Sequence, residues 1–192
     1  MPAANVPALN FLLNRRSRPA KTLGKVGPDR SELEVILTAA ARTPDHGKLE
    51  PFRFLVISGD AQTRMSNAVN DQMRHDGEDA DKIEKQSRAM TFGAVIIAVI
   101  CQPKASEKIP AWEQHLAAGG ACLALLNAAL ASGWGANWLT GWAAQSRWFM
   151  DTQLGLSEDE FVAGFIHLGQ ETIAPSDRPR PDLDNLTTWI DA

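Results

Sequence analysis

An arginine pair followed by a hydroxyl, Arg15-Arg16-Ser17, stands where an opening run with Val6, Leu9, Leu12 and Leu13 at helical spacing comes to an end. Guanidinium forks match phosphate oxygens two at a time and a serine adds one more donor, so this corner could hold a phosphate. Arginines after a helix also serve as solvated charge or as partners of its C-terminal dipole. A second group is Arg42-Thr43-Pro44-Asp45-His46-Gly47, where His46 could be a general base, a metal ligand, a donor to a bound ring or a plain turn residue. Arg42 shares a direction with His46 only if the preceding helix continues through Pro44. A third group is the loop Trp138-Leu139-Thr140-Gly141, in a stretch from Trp134 to Trp148 that holds four of the six tryptophans. Rings and peptide planes at a strand end can stack on a flat cofactor, or can simply be core.

What is missing narrows the chemistry. The chain has no dinucleotide-type glycine fingerprint, no phosphate loop ending in Gly-Lys-Ser/Thr and no paired-cysteine metal motif. His75, His115 and His167 lie on other elements, so no metal site is expected. No Ser-His-Asp set or carboxylate pair stands at a readable spacing, which removes support for hydrolysis and leaves the reactivity to a cofactor. A net charge of -4 argues against nucleic acid and anionic membranes as general partners. Cys101 and Cys122 lie in apolar runs and read as buried thiols in a reducing compartment, and without a secretion signal the cytoplasm is expected.

The element that must position these groups is the stretch Pro110–Gly133. Of residues 116–131, thirteen are apolar and the other three are Gly119, Gly120 and Asn127. A helix apolar all round must be buried on every side. Sixteen residues are short of a membrane span, which takes roughly 20, so a protein core is expected. One chain of 192 residues wraps such a helix poorly, which points to a homodimer with this helix in the interface, the two glycines allowing close approach. Around it the pattern predicts a helix capped by Asp29 and ending at Pro44, a strand over 54–57, a helix from Asp60, and a charged helical excursion over 71–90 that could cover the site. The uninterrupted apolar run 94–101 predicts a central strand, and a short strand after Gly133 and another over 161–168 follow. Helices and strands alternate too irregularly for a doubly wound sheet, so the expected class is a layered α+β fold in a single domain, 1–192, with 170–192 as a proline-spaced extended arm.

Together these segments resemble the nitroreductase-like FMN flavoproteins, in particular the small bacterial branch of NAD(P)H nitroreductases. The likeness is carried, in order, by Arg15-Arg16-Ser17; by Ala41-Arg42-Thr43-Pro44-Asp45-His46 with Glu50-Pro51-Phe52-Arg53-Phe54; and by Lys108-Ile109-Pro110-Ala111-Trp112-Glu113-Gln114, the small-residue helix and Trp138-Leu139-Thr140-Gly141. It spans about residues 9–169. The resemblance implies a mixed sheet flanked by helices and a long buried helix at a dimer interface. It also implies FMN held by Arg15, Arg16, Ser17, Trp138, Leu139 and Thr140, with Arg42 and His46 reaching the FMN of the partner subunit. The implied activity is reduction of small electron-poor acceptors, nitroaromatics or quinones, by NAD(P)H in ping-pong hydride transfer, with no protein acid or base required. Where the branch usually has an arginine, this chain has Leu139, which leaves room for an alternative: a non-catalytic dimeric flavin-binding or sensing module. Arg178 and Arg180 could add charge at the phosphate, as basic tail residues do in some relatives.

Overall fold

The computed structural model describes residues 3–190; residues 1–2 and 191–192 of the expected 1–192 domain lie outside it. In chain order the elements are α1 (Val6–Asn14), α2 (Arg30–Ala40), β1 (Phe52–Ser58), α3 (Asp60–His75), α4 (Ala80–Ala89), β2 (Val95–Cys101), α5 (Ala111–Ala131), β3 (Gly135–Leu139), α6 (Arg147–Gln153) and β4 (Phe161–Gly169). The four strands form one sheet in the order β1-β2-β4-β3.

All seven residues of β2 are buried, because both faces of the sheet are covered. Val95, Ile97 and Val99 point into a core shared with α2 and α5, where Ile36, Ala121, Cys122, Leu125 and Ala129 meet them. Ile96, Ala98 and Ile100 point the other way, to Met65, Val69, Met73, Ile83, Phe149 and Phe165. A strand so enclosed has no polar face, hence the unbroken apolar run. The layered α+β class holds, and one implied detail is corrected: every strand pair among the described residues is antiparallel, so the sheet of this chain is not mixed. The connections explain it. Two helices between β1 and β2 return the chain antiparallel, while β2 and β3, joined by the single helix α5, do run the same way but have β4 between them.

α2 begins at a capping box in which the Asp29 carboxylate accepts from Glu32 N and the Glu32 carboxylate accepts from Asp29 N, both at 2.9 Å. α5 runs 21 residues from Pro110 as N-cap, about 32 Å at 1.5 Å per residue. It is long and apolar enough to cross a membrane by length and composition, yet in this fold one face lies on the sheet and α2. The expectation of burial on every side is corrected within one chain. Trp112, Leu116 and Leu123 are 61%, 67% and 47% exposed and form an open stripe with Gly119 between them. A Cβ at Gly120 would meet Thr43 Cγ2 at 3.0 Å, whereas one at Gly119 would meet nothing. Val6, Leu9, Leu12 and Leu13 of α1 are also exposed. The outer edge of β1 has no strand partner among the described residues, and Val56 is exposed on it.

Candidate active site

The basic corner is built by the end of α1. Arg15, its C-cap, turns to φ −57°, ψ 143° and so breaks the helix, and its Nη2 donates to Ser17 Oγ at 2.8 Å. Arg18 pairs with Glu171 and also donates to Arg16 O. Burial, followed by the neighbouring charges of Arg16 and Arg18, lowers the pKa of Arg15 from its ordinary value. The Nε–H donors of Arg15 and Arg16 are buried with no hydrogen-bond partner. Two orphaned cationic donors beside a hydroxyl are what a phosphate would satisfy, and leaving them unpaired is costly. A cavity of about 580 Å³ opens on Leu12, Arg15, Arg16 and Ser17, and the tail brings Arg178 and Arg180 to its wall. Arg180 reaches back to Leu13 O at 3.4 Å.

This corner is tied directly to the tryptophan loop. Arg18 N donates to Ala136 O at 2.9 Å and the Asn137 amide donates to Arg18 O, so residues 16–18 run beside β3. A separate groove of about 620 Å³ runs from Pro19, Ala20 and Lys21 to Asn137 and Leu139, with Asp81, Glu84, Lys85 and Arg88 of α4 also lining it. Beyond it Trp138, Leu139 and Thr140 line a cavity of about 390 Å³ with Lys85, Gln86, Phe92 and His167. The Trp138 indole packs against β4 at Gly164 with its Nε1 edge, where an added Cβ would sit 2.0 Å from Nε1. His167 is 1% exposed and its Nδ1–H donates to Phe92 O at 3.2 Å. Burial pushes its pKa down to about 4, the hydrogen bond opposing, so it is neutral at pH 7.

Arg15, Arg16, Ser17, Trp138, Leu139 and Thr140 thus share one side of the chain. Arg42 and His46 do not join them. α2 ends at Ala40, so Arg42 is an exposed turn residue and the shared helical direction with His46 is absent. His46 Nδ1 lies 2.8 Å from Glu113 Oε2 in the first turn of α5. Arg15 and Arg16 share a different cavity with Leu130 and Gly133 at the other end of α5. The 17 positions from Glu113 to Leu130 amount to roughly 25 Å along the helix.

Sequence reasoning missed Lys85, Gln86, Phe92, Arg18 and His167. The charge density of 71–90 reads as solvated surface, yet α4 buries Ile83 and Ser87 four positions apart and turns Lys85 and Gln86 to the cavity. The one usable signal for His167 was a lone polar residue in an otherwise apolar strand.

A helix-flanked sheet of this order, with a basic corner leading to an aromatic loop, defines a nitroreductase-like α+β protein. The model of the nitroreductase family matches residues 12–170, and the chain belongs to that family. It is 34% identical over 169 residues to an Escherichia coli K12 protein named "Putative NAD(P)H nitroreductase YdjA", the match covering 88% of this chain and 91% of that one. A Haemophilus influenzae relative, named likewise apart from the last word, is 30% identical over 167 residues, covering 84% and 87%. Among solved structures, a nitroreductase-like protein from Bacillus cereus superposes with a TM-score of 0.81 at 19% identity over the whole of both chains. A nitroreductase with bound FMN from Bacteroides fragilis does so at 0.72 and 18%, covering 98% and 100%. At these identities the structures establish the fold alone.

Proposed function

We propose that this oxidoreductase is an FMN-dependent NAD(P)H nitroreductase that works as a homodimer in the cytoplasm. The observation that carries the reading is the pair of orphaned Nε–H donors on Arg15 and Arg16 beside Ser17, in a segment hydrogen-bonded through Arg18 to Ala136 and Asn137 of the strand that leads into Trp138–Thr140. In this reading Arg15, Arg16 and Ser17 bind the FMN phosphate, with Arg178 and Arg180 adding charge. Pro19–Lys21 and Leu139 flank the body of the cofactor, and the Trp138–Thr140 backbone orients its ring. FMN held there supplies the hydride chemistry by which NAD(P)H reduces a nitroaromatic or quinone in alternating half-reactions. The protein binds, orients and excludes water, and supplies donors where negative charge develops.

The homodimer is favoured by geometry and by exposed apolar surface. His46 lies roughly 25 Å along α5 from the basic corner, too far to serve its ligand, and Arg42 adjoins Thr43, which packs at Gly120 midway along that helix. A partner whose α5 runs the opposite way places them at the other chain's site, and the open Trp112–Leu116–Leu123 stripe is then covered. The tail from Gln170 is an extended arm on a single domain, with Leu183, Leu186 and Trp189 left exposed for a partner surface. Small molecules are the only partners this reading needs besides the second copy. Cys101 and Cys122, free and buried, suit a reducing cytoplasm.

The test is the visible spectrum of purified protein before and after anaerobic NADPH, with NADH in parallel. A two-banded flavin spectrum that bleaches with reductant and recovers on adding a quinone is expected. Protein that is colourless and takes up no added FMN would overturn the cofactor assignment, and tight FMN binding without turnover would establish the sensing module instead.

A further inference from the structure

His46 is held from two sides by elements that are themselves fixed. The Asp45 carboxylate accepts from Leu49 N at 2.6 Å and from Glu50 N at 3.4 Å, closing the loop on itself. Gly47, at φ 72°, takes a conformation that disfavours side chains, and an added Cβ would lie 2.6 Å from Ile109 Cδ1. Lys48 and Glu50 also have positive φ, 53° and 49°, so the loop carries backbone strain that the surroundings must impose. Across from it, Glu113 stands in the first turn of α5, where the helix N-terminus favours a carboxylate. The next residue, buried Gln114, bonds Lys104 O at 2.9 Å and Lys104 N at 2.7 Å, which pins that turn to the chain entering it. Between the two elements runs a hydrogen bond, His46 Nδ1 to Glu113 Oε2 at 2.8 Å.

We infer that Glu113 is a positioning residue for His46. An ionised carboxylate only accepts, so Nδ1 must carry the proton, and the ring is locked as the Nδ1–H tautomer. Nε2, which has no partner among the described residues, is left on the open side of a ring 60% exposed. Nε2 then presents a lone pair on the neutral ring, or a proton when the ring is charged. The same logic orients metal-ligating and catalytic histidines through the nitrogen that faces away from the chemistry. The inference rests on the reading that His46 serves the partner's FMN, and it adds the residue that aims it.

Two measurements on the purified full chain test it. A long-range proton–nitrogen spectrum of the imidazoles at mildly alkaline pH, with His46 assigned from its loss in His46→Ala, is expected to show His46 as Nδ1–H. Glu113→Gln, whose amide oxygen still accepts, keeps that tautomer. Glu113→Ala shifts the ring towards Nε2–H, and Glu113→Leu repeats the truncation with helix-forming bulk retained. A parent protein in the Nε2–H form, or truncations that leave the tautomer unchanged, would overturn the inference. FMN titrations of His46→Ala, Glu113→Ala and the double variant supply the second arm. Each single change is expected to weaken FMN several-fold and the double no more than His46→Ala alone. An equal further loss in the His46→Ala background would show that Glu113 acts separately and would overturn it. Should His46→Ala leave FMN affinity unchanged while the tautomer result stands, the cross-interface role of His46 falls and its orientation by Glu113 remains.

Discussion

At the scale of single residues the site depends on buried cationic donors held without a hydrogen-bond partner. Glu171 neutralises Arg18 and Asp177 pairs with Arg180, while Arg15 and Arg16 form no salt bridge among the described residues and Asp177 acts on Arg16 only at longer range. Replacing Arg15 with Ala removes a charge-assisted donor worth about 1.5–3 kcal/mol, so FMN affinity should fall roughly tenfold to a hundredfold. The fold should tolerate the change, since the replaced donor has no protein partner at Nε. Flavin fluorescence titration reads the affinity, and thermal unfolding of the FMN-free chain checks the fold. The arginine pair was legible from sequence because function and helix termination coincide there. Arg18 was not, because only its fold partner, Glu171, 153 positions later, gives it a role.

At the scale of elements, β4 sets the height of the tryptophan loop. Gly164 lies opposite Val99 next to a shift in register, and the missing side chain is the space the Trp138 indole occupies. Gly164→Ala must push the ring off the strand, at a cost of roughly 1–3 kcal/mol for overpacking. We expect a lower unfolding midpoint together with weaker FMN binding, measured by denaturation and by titration; a loss of stability with intact FMN affinity would separate Trp138 from the flavin. The strands were readable because buried β2 and β4 have no polar face to confuse the period. α4 was readable as part of a charged helical stretch over 71–90, but which of its polar residues turn inward was not, because its apolar positions are few. The sheet's uniform antiparallel pairing was equally hidden, since strand order is set by which helices cover which face and not by any one strand.

At the scale of the whole molecule, two buried ionisable groups should make stability depend on pH in the same sense. The bidentate Arg53 fork holds the Glu160 carboxyl down at about 2, against an ordinary 4.5. Glu160 therefore contributes stability that is complete above about 4.5 and lost as pH falls towards 2. His167, depressed to about 4 from 6.5, is neutral when folded but takes up a proton when unfolded as pH falls below 6.5. The unfolded chain binds more protons across that window, so stability drops on acidification, by on the order of 3 kcal/mol from His167. Urea unfolding between pH 7 and 4 should show the decline, and His167→Asn should flatten it between 6.5 and 4 while leaving the Glu160 limb below.

The uncovered stripe of α5 has a consequence for how the protein comes to be made. A newly synthesised chain that has folded its own sheet still shows water Trp112, Leu116 and Leu123, together with the unpaired border of β1. Such surface attracts whatever meets it first. In the proposed homodimer, encounter with a second copy competes against encounter with any other nascent chain, so the final step of maturation would be bimolecular and its success set by how fast, and how near one another, identical chains are produced.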